Sequence, residues 1–293
     1  MKILHIGNVA GVAQTLAKYQ RKLGHKVDVI IRDGFSFKAH EIADNIVIKG
    51  RARRFTLAVL ARAWKYDLIH GHMFPFTSKW IHPLYKWKPF VYHLHGTWIR
   101  GKWHLPEKQK YMERADKLLV STPELLDGAP NGADWLPNPV DTGHFIRTAE
   151  YVPNTALFIL RWKRQQPALE QAVRECMTLG LKLTIMDRKT QSIPYKDFPA
   201  YLQKFEFYVD TKTQEEFDPA LYDTDWDIPF EQVTMNKSLS LTALQHLAMG
   251  GKVVNDHEVL TKFPMMHAPQ SVARQSIRIY EELLSSEPQF PYE

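Results

Sequence analysis

Cysteine is almost absent from this sequence: Cys176 stands alone in 293 residues. No intrachain disulfide can form, a zinc site built on four thiolates is excluded, and a reducing compartment is the expected setting. No stretch reaches the roughly 18 consecutive apolar residues of a membrane span, and the apolar run within residues 1–7 is too short for a signal peptide. Neither an internal repeat nor a low-complexity tract occurs. These absences lead to the expectation of a cytoplasmic protein.

Acidic residues are outnumbered, with 32 Asp and Glu against 38 Lys and Arg, for a formal charge of +6. Such a bias favours anionic partners, whether nucleotide phosphates, acidic lipids or nucleic acid. The imbalance is local: residues 49–54 and 100–110 are basic, whereas residues 215–227 are acidic. With 44% apolar and 24% charged residues the composition is that of a folded soluble chain, and the length is about twice the ~150 residues of a usual domain. Two cores are expected.

Hydrophobic periodicity orders the first half as alternating strands and helices. Residues 3–6 read as a buried strand, 7–11 as a tight loop, and 12–23 as a helix carrying Leu16, Tyr19 and Leu23 on one face, with Gly24 as its C-cap. Further strands are predicted at 27–31, 45–48, 68–70, 90–94 and 117–121. That order implies a doubly wound parallel sheet, whose ligand crevice lies beyond the carboxyl ends of its strands. The loop at 7–11 and the His95-Gly96 turn both fall there. Breaker-rich segments at 128–132 and 137–139 separate this half from a second series: strands at 156–160, 182–186, 205–209 and 252–255, with helices at 167–179 and 239–249. A final helix is predicted at 271–284. Residues 211–234 form an acidic, aromatic stretch without a period, read as a solvated loop because it lacks the spacing of a calcium-binding loop.

Several of these features, in order, resemble the stations of the large retaining GT-B glycosyltransferase family. The glycine loop 7–11 with Leu23-Gly24-His25-Lys26-Val27 resembles its opening. His70-Gly71-His72, His95-Gly96-Thr97, Ala115-Asp116-Lys117 and Leu136-Pro137-Asn138-Pro139-Val140-Asp141 resemble four further stations, and residues 244–254 resemble the family's "LEAMAcGkPVv" segment. The resemblance implies an α/β chain of the GT-B class, two Rossmann-like doubly wound domains facing across a cleft. The expected division is 1–148 for an acceptor domain, 149–268 for a shortened nucleotide-sugar domain, and 269–293 for a helix and tail packing back on the first.

The same resemblance implies a retaining, metal-independent transferase using a nucleotide-diphosphate sugar, of the UDP or GDP kind, and a glycan, lipid-linked or small-molecule acceptor. It places His95 at the transferred sugar. It gives Gly11, Arg161, Lys163, Lys237, Ser238, Ser240 and Gln245 to the donor, and Asn8, His72, Trp98 and Asn138 to the acceptor side. Two departures stand out. The family's pair of glutamates, eight residues apart, reads Lys237 and Gln245 here, and Leu160 and Gln166 replace the glycine and lysine that accompany the arginine at position 161.

Two alternatives therefore remain beside the main one: a sugar transferase acting on DNA bases, and a nucleotide-sugar-binding partner subunit with weak catalysis. His70, His72, His93 and His95 share an alternate spacing that zinc could use, but no carboxylate or cysteine sits at matching spacing, and no metal is expected. Basic residues with aromatics between 51 and 65 read equally as a helix facing an anionic membrane surface or as an ordinary core-facing helix.

Overall fold

The computed structural model describes residues 1–33, 45–72, 84–85, 87–96, 99, 103, 105–160, 166–188, 190–191, 193–211, 239–255 and 258–285. The chain divides into two units. The first comprises Met1–Pro139 with Ala268–Glu293, the second Val140–His267. The boundary falls at the Pro137-Asn138-Pro139 breaker, ahead of the expected 148, because Val140 and Phe145 are buried in the core of the second unit.

In the first unit, strands β1 (Lys2–Ile6), β2 (Lys26–Arg32), β3 (Asn45–Ile48), β4 (Leu68–His72), β5 (Phe90–Leu94), β6 (Lys117–Val120) and β7 (Asp134–Trp135) form one sheet in the order β3-β2-β1-β4-β5-β6-β7, every described pair parallel. The chain runs outward from β1 to β3, then restarts on the other side of β1 with β4. The crevice at β1 and β4 is thus the topological switch point where a doubly wound sheet takes its ligand. Helix α1 (Val12–Lys22) follows β1 and buries Val12, Ala13, Leu16, Ala17, Tyr19 and Gln20. Its last turn carries Arg21 and Lys22, which suit the negative end of the helix.

The two faces of this sheet differ in chemistry. Alternation puts Leu4, Ile6, Ile69, Tyr92, Leu94 and Val120 on one face, in a core closed by Phe55, Val59 and Ala63 of helix α2 (Ala52–Ala63). The other face carries His5, His70, His72 and His93, beneath α1 and the C-terminal helix Pro269–Ser285. Helix α2 leaves Leu57 exposed, as is Trp64 that caps its C-terminus, while Trp103 is buried.

The second unit holds β8 (Thr155–Leu160), β9 (Lys182–Asp187), β10 (Phe207–Val209), β11 (Lys252–Asn255) and β12 (Glu258–Leu260) in the order β12-β11-β10-β8-β9, with only β12 antiparallel among them. Leu157, Ile159, Tyr208 and Val253 face helices Phe198–Leu202 and Leu241–Ala248. Ala156, Phe158, Phe207 and Val254 face helix Gln166–Thr178, whose Cys176 is buried with its thiol pushed up to about 11, an inert core residue.

His246 is fully buried in the second unit and hydrogen-bonds through Nε2 to the Glu206 carbonyl at 3.1 Å. Burial lowers its pKa from 6.5 to about 4, against the smaller raising effect of that bond. The unfolded chain takes up a proton as pH falls below 6.5 and the folded one does not. Stability is therefore lost between pH 6.5 and about 4 and levels off below. At pH 5 this one group costs about 2 kcal/mol relative to pH 7. Urea unfolding of the wild type and His246→Gln at the two pH values checks it, the variant losing that share of the pH dependence.

Candidate functional site

Both candidate regions lie at strand ends. In the first unit the loop after β1 bends sharply: Gly7, Ala10 and Gly11 have φ of +83°, +51° and +81°. Glycine adopts this region at no steric cost, and a non-glycine held there marks a backbone fixed by its surroundings. The turn places Gly11 as the N-cap of α1 without a side-chain capping bond of its own. The Asn8 side chain turns back on Gln14, accepting from its N–H at 3.3 Å and donating to its Oε1 at 3.3 Å. Asn8 is thus buried against the helix start.

Beside this loop, parallel register brings five histidines together. His5 of β1 lies opposite His70 of β4, and His72 of β4 opposite His93 of β5. Just past β5, His95 stacks on His72 with ring centroids 5.5 Å apart. His5 Nδ1 meets His72 Nε2 at 3.0 Å, and His72 Nδ1 meets His95 Nε2 at 3.2 Å. The Asn138 side chain partly offsets the effect of burial on the His95 ring. Burial is the main cause that holds every ring neutral: His5 falls to about 4 and His95 to about 3, while His70, His72 and His93 lie well below the usual imidazole range.

The direction of the hydrogen bonds is fixed from one end. Gln20 Nε2 donates to Ser276 Oγ at 2.9 Å, and that hydroxyl donates to the Ala273 carbonyl at 2.7 Å. Gln20 Oε1 therefore faces His5 Nε2, 2.8 Å away, and accepts its proton. His5 Nδ1 then carries a lone pair, so His72 Nε2 carries the proton between them. On the far side His70 Nδ1 contacts the Tyr280 hydroxyl.

In the second unit the Leu241–Ala248 helix begins two residues later than expected, because Ser240 caps it: its Oγ accepts from Ala243 N–H at 3.2 Å. The Ser240 N–H in turn donates to Asp210 Oδ2 at 2.6 Å. A carboxylate thus already serves part of the start of this helix, where the resemblance placed the donor. Gln245 lies inside this helix and is only 7% exposed.

The structure thus gathers His72, His95 and Asn138 in the first unit, sets Asn8 and Gly11 in the neighbouring turn, and places Ser240 and Gln245 on one helix of the second. Trp98, Arg161, Lys163, Lys237 and Ser238, and most of the acidic stretch 211–234, lie outside the described residues. Sequence reading missed His5, Gln20, Ser276, Tyr280 and Asp210. The one available signal was the match of His5, two residues before Gly7, to His70 once β1 and β4 are paired in parallel. Spacing along the chain argues against a metal-ligand set, whereas the cluster is assembled across three strands. Among the described residues no helix is long and apolar enough to cross a membrane.

Residues 9–143, just under half of the chain, match Glycosyltransferase Family 4. No curated protein sequence matches. Among solved structures, the chain is similar to the catalytic domain of starch synthase IV from Arabidopsis thaliana bound to ADP and acarbose: TM-score 0.59, 10% identity, 98% of this chain and 100% of that one covered. It is also similar to an alpha-glucosyltransferase in complex with UDP and a 13-mer DNA containing a central A:G mismatch, with TM-score 0.54, 12% identity, and 97% and 90% covered. The fold is GT-B.

Proposed function

We propose that this protein is a glycosyltransferase that moves a sugar from a UDP- or GDP-sugar to a glycan, lipid-linked or small-molecule acceptor, with retention of configuration. The observation that carries the reading is the match of residues 9–143 to Glycosyltransferase Family 4, in a chain whose described residues take the GT-B fold. The first unit serves the acceptor and the second the donor. The chemistry asks for a stabilised diphosphate leaving group, a positioned acceptor hydroxyl and an environment tolerant of an oxocarbenium-like transition state. Lys163, Arg161 and Lys237 supply the positive charge for the diphosphate without an ion of its own. Gly11 lets the α1 N-terminus, whose free N–H groups suit oxygen ligands, approach the donor.

His95 is assigned to the transferred sugar. Its ring is 6% exposed and one nitrogen, Nε2, meets His72, so the contact is assigned to the other nitrogen, Nδ1. A neutral imidazole there gives a hydrogen bond without adding charge. Gln245 stands in for the ribose-binding carboxylate, and Asp210 beside Ser240 supplies an acidic group from another strand end. Exposed Leu57 on the basic helix α2 and Trp64 at its C-terminus suit peripheral attachment at the inner face of a membrane that carries a lipid-linked acceptor.

The purified chain is expected to release nucleotide from its cognate donor well above the buffer rate. Donor that binds but turns over no faster than in buffer favours instead a binding subunit, the reading motivated by Lys237 and Gln245. Transfer to DNA bases is the other reading, favoured by the +6 charge. It requires DNA affinity that falls steeply with salt.

A further inference from the structure

The hydrogen-bonded chain through His5, His72 and His95 leaves part of the cluster unexplained. His93 is fully buried, and neither of its ring nitrogens has a hydrogen-bond partner; His70 Nε2 is in the same position. An unsatisfied buried polar group costs about 1–3 kcal/mol, and few persist in folded proteins. His93 lies between rings that offer lone pairs, with centroids 4.2 Å from His95 and 5.3 Å from His72.

We infer that His72, His93 and His95 bind a divalent transition-metal ion, Zn2+ by its chemistry, which ties the ends of β4 and β5 together. Their ligand atoms lie within 4.8 Å of one another. A tetrahedral site with Zn–N of about 2.0–2.1 Å needs nitrogens roughly 3.4 Å apart, and His72 Nδ1 and His95 Nε2 are already at 3.2 Å. Three imidazoles with no carboxylate select zinc, copper, nickel or cobalt over calcium or magnesium, and leave one position for water.

The protonation pattern that binding needs at His72 is built in. Gln20 fixes the His5 proton on Nε2, so His5 Nδ1 accepts from His72 Nε2, which leaves the His72 Nδ1 lone pair facing His95. Metal-bound histidines commonly donate their other N–H to such a partner. His95 presents its Nε2 lone pair once its own proton lies on Nδ1. The other triad, His5, His70 and His72, is the weaker candidate, since Gln20 and Tyr280 already engage His5 and His70.

This inference stands whether or not the chain transfers sugar, and its test needs no activity. The full-length protein, stripped with EDTA, is titrated with Co2+ alone and then with Zn2+ alone. One equivalent of Co2+ is expected to give the intense visible bands of a tetrahedral site, Zn2+ to bleach them and raise the melting temperature, and His93→Gln to weaken binding on the order of 100-fold. Absence of those bands together with an unmoved melting temperature overturns the proposal, as does binding unchanged in His93→Gln. Zn-edge X-ray absorption of the loaded wild type decides without any variant. Three imidazole scatterers support the site, and fewer than three overturn it.

Discussion

Gly251→Ala is expected to destabilise the second unit by about 4 kcal/mol, a large share of the 5–15 kcal/mol that holds a typical protein folded. A Cβ at position 251 would lie 2.3 Å from His246 Nε2 and 2.5 Å from its Cδ2. The ring cannot swing aside into solvent, because His246 is fully buried and packs near Tyr151 and Tyr208. Moving it costs about 1–3 kcal/mol of overpacking, and breaking its 3.1 Å bond to the Glu206 carbonyl adds the penalty of a buried donor, again about 1–3 kcal/mol. Gly250 is the internal control. Its φ is +80° but nothing lies within 4 Å of the point a methyl group would occupy, so Gly250→Ala should cost only about 1–2 kcal/mol of backbone strain. Urea unfolding of the two variants compares them, and equal costs would contradict the packing account.

His95→Ala is expected to lower kcat/KM about 100-fold, or about 2.7 kcal/mol of transition-state stabilisation, the scale of one well-placed hydrogen bond to developing charge. Because His95 is also buried against His72 and Asn138, lost activity alone could reflect a damaged turn. The discriminating readout is the nucleotide affinity, which should stay within about threefold of wild type while turnover falls. A variant that keeps full activity removes His95 from the chemistry. One that loses nucleotide affinity in proportion to turnover makes it a positioning residue.

The strands and helices that were legible in the sequence are those with strong local periodicity. β3, β5 and β11 fall on the predicted residues, and α1 begins at Val12 and stops before Gly24, whose φ is +91°. β7 was missed because it is two residues long and sits among breakers. β12 is an exposed antiparallel edge without the buried run that marks the other strands. The strand predicted at 205–209 starts later, at Phe207, because the chain is still turning at Phe205, whose N–H bonds to the Leu202 carbonyl.

The site was legible only in part. His95, Gly11 and Asn138 were named through the family's motifs, and for His95 and Gly11 the position just past a strand, a local property, pointed the same way. The partners of these residues are set by parallel register and by a helix more than 250 residues away: Gln20 reaches Ser276 across the chain, and His5 finds His72 on the neighbouring strand. No spacing rule along the sequence contains those distances, which is why His5 went unnoticed and the alternate spacing of the other four histidines did not suffice to join them in one cluster.

The central claim, that this GT-B chain holds a nucleotide sugar, is tested most directly by its melting temperature in a panel of UDP, GDP, ADP and CMP with their sugars. Ligand at about a hundred times its dissociation constant stabilises the protein by about 2.7 kcal/mol. One nucleotide and its sugar should raise the melting temperature by several degrees while the others leave it in place; a panel in which none moves it, at millimolar concentration, contradicts the claim.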